Sequence, residues 1–136
     1  MTTPTDTSLF AALVKLKAEW PGGDWSWDAR MSCVTSSFPA ASQDNARAVT
    51  LAVLPAEYTS ANIANASAPL TELIGRTGGL RGGQFLFVHE DPARVAFGLW
   101  WPWGAGTPIS LRVGFLGVDK DGEPNRRLRE VFKVTA

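Results

Sequence analysis

The side chains of this sequence best suited to binding chemistry are its tryptophans. The 136 residues include six tryptophans, and five of them lie in two short clusters, at positions 25 and 27 and at positions 100, 101 and 103. An indole ring offers a wide rigid face and one N–H donor at little entropic cost, so it suits stacking on sugars, bases or the side chains of a partner. The alternative is that all five rings are buried in one core. The predicted binding residues are Trp25, Trp27, Trp100 and Trp103.

The strand predicted over residues 94–101 decides which way the second cluster faces. Period-two alternation places Trp101 among apolar side chains and Trp100 on the opposite side, with Arg94. On the next predicted strand, Arg112 lies between small residues, so the two strands are expected to share a shallow face. Arginine binds anions through a fork of donors and stacks on planar groups, which makes this face a candidate pocket. Close packing of a helix on the small residues is the alternative.

Side chains for nucleophilic catalysis are few. The chain has one histidine, His89, and one cysteine, Cys33, and no third group in the sequence orients either. Reactive thiols need a nearby cation or a helix N-terminus, so we expect Cys33 to be a small buried apolar residue. One histidine and one cysteine cannot form a structural zinc site, and we predict no metal and no cofactor. Asp24 and Asp28 are either an acid and base couple or two solvated loop acids.

The glycine-rich segment 75–83 lacks the spacing of a phosphate-binding loop. Gln84 stands where that motif requires lysine. The segment also leaves a predicted helix and enters a strand, whereas phosphate loops lie between a strand and the N-terminus of the next helix. We expect a helix C-cap followed by a flexible link, with Arg76 and Arg81 available to a partner.

Charge and composition exclude several classes of function. Thirteen basic residues cancel thirteen acidic ones, so the field that would draw the chain to nucleic acid or anionic lipid is missing. One cysteine cannot form an internal disulfide, and the first residues lack the basic and apolar pattern of a secretory signal. No apolar run approaches the ~18 residues of a membrane-spanning helix. These features predict a cytoplasmic protein without a membrane partner, and they disfavour nucleic acid.

Helical patterns occur at two places. Apolar residues spaced by four, three and four predict an amphipathic helix over about residues 7–20, preceded by a flexible tail at residues 1–5. A second helical pattern runs from about residue 59 to residue 77. Pro69 lies inside it and predicts a kink or two shorter helices, of which residues 69–76 are the best supported.

Period-two alternation predicts strands at about residues 30–37, 46–54, 85–89, 94–101 and 109–118, with a hairpin turn at 90–93. The C-terminal segment favours an edge strand over residues 128–134, with a helix from Pro124 as the alternative. The order is α-β-β-α-β-β-β-(β or α). It predicts an α+β fold in a single domain of residues 1–136: a mostly antiparallel five- or six-stranded sheet with two or three helices packed on one face.

A surplus of aromatic side chains beside few catalytic groups favours a binding function. We expect a non-catalytic adaptor, chaperone-like, regulatory or immunity-type protein. Its tryptophan-rich surface would contact a protein partner or a second copy of the chain. The alternative is an enzyme or small-ligand carrier with a pocket between helix and sheet, lined by Trp100, Arg94 and Arg112, with His89 as its base.

Overall fold

A computed structural model describes residues 4–91, 93–103 and 108–135 of the chain. Its helices are Pro4–Glu19 (α1), Gln43–Leu51 (α2), Ala68–Arg76 (α3) and Glu123–Phe132 (α4). Its strands are Ser26–Asp28 (β1), Cys33–Phe38 (β2), Ala56–Tyr58 (β3), Phe85–His89 (β4), Ala96–Pro102 (β5) and Ile109–Phe115 (β6). They form one sheet in the order β1-β2-β6-β5-β4-β3, and all neighbouring strands are antiparallel. The predicted α+β class is confirmed.

Helices α1, α2 and α4 pack on one face of the sheet, here called the three-helix face. Their buried side chains join alternate strand residues in one large core, which agrees with the expectation of two or three helices on one face. The sheet contributes to this core Val34, Phe38, Phe87, Ala96, Trp100, Ile109, Leu111, Val113 and Phe115.

Helix α3 packs on the opposite face, here called the α3 face. Leu70, Leu73 and Ile74 of α3 meet a second apolar cluster, whose strand residues are Cys33, Leu86, Val88, Phe97 and Leu99. Most of these partners belong to β4 and β5, whereas β6 presents Ser110, Arg112 and Gly114 on this face. A nine-residue helix is too short to cover a six-stranded sheet, so the α3 face is only partly covered.

Several predicted elements are present. Helix α1 buries Leu9, Leu13 and Leu16 along one stripe, as the spacing predicts. It begins at Pro4, earlier than expected, and the rest of the predicted tail falls on residues 1–3, outside the described residues. The interrupted helix is confirmed: a 3-10 turn at Ile63–Asn65 precedes α3, which has Pro69 in its first turn. The hairpin of β4 and β5 is also confirmed.

The strand predicted over residues 46–54 is wrong, because most of this segment is helix α2. Val and Thr favour strands, and the apolar residues of this segment matched the two-residue period of a strand by chance. In the helix, Ala46 and Thr50 lie four residues apart and both are buried, and the Thr50 hydroxyl donates to the Ala46 carbonyl at 2.7 Å. Burial of this stripe on the three-helix face outweighs local strand propensity.

The edge strand favoured at residues 128–134 is also wrong, and the helical alternative holds. Asn125, Leu128 and Phe132 are buried on α4 at spacings of three and four. Glu130 is exposed, although a strand would place it on the same side as Leu128 and Phe132, so the pattern suits a helix. The Nδ2 of buried Asn125 donates to the carbonyls of Asp119 and Lys120, at 3.3 and 3.0 Å, and so ties the preceding loop to the start of the helix. The edges of the sheet are instead formed by β1 and β3, two three-residue strands that the sequence pattern did not predict.

The helical assignment of α2 is tested by two alanines. Ala46 is buried and Ala48 is exposed, although a strand would place both on the same side. We expect Ala46→Glu to lower the free energy of unfolding by about 3 kcal/mol or more, because it buries an unpaired charge. Ala48→Glu should change it by no more than about 0.5 kcal/mol. Urea unfolding followed by circular dichroism measures both, and equal losses would contradict the helix.

Candidate functional site

The pairing of β5 with β6 places Trp100 and Arg112 on opposite faces. Trp100 pairs with Leu111 and Leu99 pairs with Arg112, so Trp100 points to the three-helix face. Its side chain is 4% exposed and packs edge-on against Phe38. The predicted pocket that combined Trp100 with Arg112 is therefore wrong. Both faces of the sheet are partly apolar, so alternation within one strand did not show which faces of neighbouring strands belong together.

Arg112 lies instead in a cleft beside Trp101 and Trp103, on the α3 face. This cleft, here called the α3 cleft, has a volume of about 610 Å³. Its lining residues are Arg30, Met31, Ser32, Leu73, Arg76, Thr77, Phe97, Leu99, Trp101, Trp103, Arg112, Phe115, Leu116, Gly117, Val118, Lys120 and Asn125. It lies where α3 leaves the sheet uncovered, so the helix forms a wall and β5 and β6 form the floor.

The floor of the α3 cleft depends on a glycine. Gly114 pairs with Phe97, and a Cβ on Gly114 would lie 2.8 Å from the Phe97 ring and 3.0 Å from the Cβ of Cys33. A residue without a side chain therefore leaves room for the Phe97 ring over β6. Phe97 is only 2% exposed, so this part of the floor is closely packed.

Trp103 is held in place although its side chain is 45% exposed. Its indole Nε1 donates to the Oγ of Ser110 at 2.8 Å, and the Ser110 hydroxyl is within 3.0 Å of the Ser37 hydroxyl. The backbone N–H of Trp103 donates to the carbonyl of Pro108 at 3.0 Å. An exposed ring that is anchored in this way presents its face to a ligand with little further loss of entropy.

Asp28 of β1 positions Arg112 across the sheet. Its Oδ2 accepts a hydrogen bond from the Arg112 Nε at 3.2 Å, and its Oδ1 accepts from the backbone N–H groups of Arg30 and Met31 at 3.0 and 3.1 Å. Burial opposes ionisation of this carboxyl, but the hydrogen bonds from Met31 and Arg112 outweigh it and hold the pKa of Asp28 below its ordinary value. The guanidinium carbon of Arg112 lies 5.8 Å from the centre of the Trp103 ring.

The other predicted binding residues lie outside the α3 cleft. Trp25 packs against Phe132 at the three-helix core, and Trp27 of β1 lies under Arg129 of α4, with its ring centre 4.8 Å from the guanidinium carbon. Arg94 lies just before β5, 5.8 Å from the ring centre of Phe115. Of the six predicted residues, the structure thus brings only Trp103 and Arg112 together.

Cys33, the candidate nucleophile, and His89, the candidate base, lie on opposite faces of the sheet. Cys33 is fully buried in the α3 cluster, and burial together with the nearby Asp28 carboxylate raises the pKa of its thiol to about 12. A thiol with this pKa stays protonated at neutral pH, which agrees with the expected buried apolar role. His89 lies two residues after Phe87 on β4, so both side chains point to the three-helix face. Within the described residues, no three side chains of His, Cys, Asp or Glu are grouped to hold a metal ion.

Sequence reasoning missed several residues of the α3 cleft. Trp101 was assigned to an apolar face, which is correct, but that face turns out to be the floor of the cleft. Arg30 and Lys120 lie in turns far apart in the sequence, and only strand pairing brings those turns to the same end of the sheet. Arg76 was noted as available to a partner, and the structure places it on the α3 wall.

Comparison of the chain with protein-family models, with curated proteins and with solved structures finds no match. Among the described residues, no helix combines the length and the apolar character required to cross a bilayer.

The different positions of the two tryptophans predict different effects on stability. We expect Trp100→Ala to lower the free energy of unfolding by about 3–5 kcal/mol, because it leaves a cavity in the three-helix core. Trp103→Ala removes a half-exposed ring and one hydrogen bond, so we expect a loss of about 1 kcal/mol. Guanidinium unfolding of both variants measures these losses, and similar values would show that both rings are core residues.

The pair of Asp28 and Arg112 predicts a pH dependence. Because the pKa of Asp28 is lowered on folding, its stabilisation is complete above the unfolded pKa of about 3.9 and is lost as the pH falls through the folded pKa. We expect Asp28→Asn to cost about 1–3 kcal/mol at pH 7 and less at pH 3, because the carboxyl of the unfolded chain is mostly protonated there. Urea unfolding at both pH values measures this, with the exposed-acid variant Asp24→Asn as control. Equal effects of the two substitutions at pH 7 would contradict the role of the pair.

Proposed function

We propose that the protein is a binding protein that holds a negatively charged ligand in the α3 cleft. One observation carries this proposal. The cationic residues Arg30, Arg76, Arg112 and Lys120 line the cleft, and none of its described lining residues is Asp or Glu. Asp28, which pairs with Arg112 from beside the cleft, offsets one of these charges.

The separation of charge supports an anionic ligand. The chain as a whole has equal numbers of acidic and basic residues, so an excess of cations at one concave site is a local feature. A concave site partly shields its charges from water and so raises their attraction for an anion. The volume of about 610 Å³ lies within the ~300–1,000 Å³ typical of small-molecule sites.

The polar groups of the cleft favour binding over catalysis. Besides the cations, the Ser32 hydroxyl can donate to an anion. The Thr77 hydroxyl already donates to the Ile74 carbonyl, and the amide of buried Asn125 donates to the carbonyls of Asp119 and Lys120. His89, the base proposed from the sequence, points to the other face of the sheet. A cytoplasmic location remains part of this proposal, and it suits a chain with a single free thiol.

A protein partner with an acidic segment is the second candidate occupant. The observation that favours it is Trp103, which is 45% exposed and anchored beside Arg112. Exposed, rigid tryptophan and arginine side chains are frequent centres of protein interfaces. If this candidate holds, a poly-glutamate peptide should displace a small anionic probe from the cleft.

The proposal is tested with two related fluorescent probes, the anion 8-anilinonaphthalene-1-sulfonate and the neutral N-phenyl-1-naphthylamine. We expect the anion to bind the native protein and the neutral probe to bind at least about tenfold more weakly, because only the anion gains from the cations. Arg76→Gln and Lys120→Gln should each weaken binding of the anion about threefold at low salt, as expected for exposed charges. Fluorescence titration measures the affinity of the unmodified protein for both probes and the affinity of each variant for the anion.

Matched controls are Arg81→Gln and Arg126→Gln, which remove exposed arginines outside the α3 cleft. Both should bind the anion as the unmodified protein does. Equal weakening by the control variants, or equal affinity for the neutral probe, would show that the probe does not report on the cations of the cleft. Either result would contradict the proposal.

A further inference from the structure

The α3 cleft has a direction, and strand pairing defines it. Trp101 pairs with Ser110, Leu99 pairs with Arg112, and Phe97 pairs with Gly114. All these residues lie on the α3 face. The floor therefore runs along β6 from an aromatic end at Ser110 to the end of the strand at Phe115. The aromatic end is formed by Trp101 together with Trp103, which donates to the hydroxyl of Ser110.

The opposite end of the cleft is cationic. Cys33 pairs with Gly114, so the turn that precedes β2 extends past the end of β6. This turn contributes Arg30 to the cleft, and the loop after β6 contributes Lys120. At a strand rise of ~3.4 Å per residue, the end of β6 at Phe115 lies about 17 Å from Ser110 along the strand. Arg112 lies about 7 Å from Ser110 on the same path.

The exposed Trp103 ring and the cations Arg30 and Lys120 therefore lie toward opposite ends of the cleft, because the Phe97 and Phe115 rings near the cationic end are only 2% and 7% exposed. Arg112 lies between the two ends, with its guanidinium carbon 5.8 Å from the centre of the Trp103 ring. An anion the size of benzoate that stacks on Trp103 reaches only as far as Arg112 and leaves Arg30 and Lys120 unused. A ligand that uses both ends needs a flat ring, a spacer of several atoms and a group with more than one negative charge. Phosphate groups suit the charged end, because arginine forks and lysine bind phosphate oxygens.

We propose that the ligand is a free nucleoside diphosphate, with its base on the tryptophan end and its phosphates at the Arg30 and Lys120 end. The sugar spans the middle of the floor, and the first phosphate passes near Arg112. This inference rests on the proposed anion-binding function and names the ligand class for the same site.

The structure also indicates how the base is recognised. The indole N–H of Trp103 is already donated to Ser110, so the ring offers its face and not its donor. Stacking tolerates every base, because each has a π face. We therefore expect the α3 cleft to bind ADP, GDP, CDP and UDP with affinities within about tenfold of one another.

The experiment compares ADP with its two parts by isothermal titration calorimetry at low salt. ADP should bind at least about tenfold more tightly than pyrophosphate, which lacks the ring, and more tightly than adenosine, which lacks the charge. Trp103→Ala should remove the advantage of ADP over pyrophosphate and leave pyrophosphate affinity unchanged, while Trp103→Phe should keep most of it. Lys120→Gln should weaken ADP and pyrophosphate by the same factor.

Each result supports or overturns the inference. If ADP binds no better than pyrophosphate, or if one base is preferred more than about tenfold, the assignment of the base to the tryptophan end is wrong. Tighter binding of a single-stranded oligonucleotide than of ADP would overturn the assignment to a free nucleotide. If ADP does not bind, but Arg76→Gln and Lys120→Gln still weaken binding of 8-anilinonaphthalene-1-sulfonate, the anion-binding function stands and only the ligand class is wrong. If neither probe depends on these cations, both proposals fall.

Discussion

The pairing of β5 with β6 is the interaction on which the rest of the structure depends. Seven residues of each strand are aligned from Ala96 with Phe115 to Pro102 with Ile109. A shift of one residue would exchange the two faces, because side chains alternate along a strand. It would move Arg112 toward the core of the three-helix face and remove it from Asp28. The register thus decides both the packing of the core and the composition of the α3 cleft.

The α3 cleft follows from unequal cover on the two faces of the sheet. Three helices bury the three-helix face, whereas the nine residues of α3 meet mainly β4 and β5. The neighbouring surface of β6 carries Ser110 and Arg112, which form hydrogen bonds with Trp103 and Asp28 instead of packing against α3. The wall of α3, the floor of β5 and β6 and the two turns then enclose a concave site. Charged side chains from separate parts of the sequence meet there in a chain that has no net charge.

Local patterns predicted those elements whose burial is strongly one-sided. The stripe of Leu9, Leu13 and Leu16 in α1 is an example, and so are Pro69 at the start of α3 and the hairpin of β4 and β5. The prediction failed at α2, where Val and Thr favour strands in isolation. At α2, whether the segment forms a helix or a strand depends on packing against the sheet, and the local sequence carries no information about that packing.

The candidate site was predicted only in part, for the same reason. The sequence by itself determined that the chain is rich in clustered tryptophans, balanced in charge and of the α+β class, since these follow from composition and local periodicity. It also singled out Trp103 and Arg112. Only the tertiary structure decided that Trp100 is a core residue and that Trp101, Arg30 and Lys120 belong beside Arg112. Strand register and helix placement are properties of long-range pairing, and alternation within one strand does not contain them.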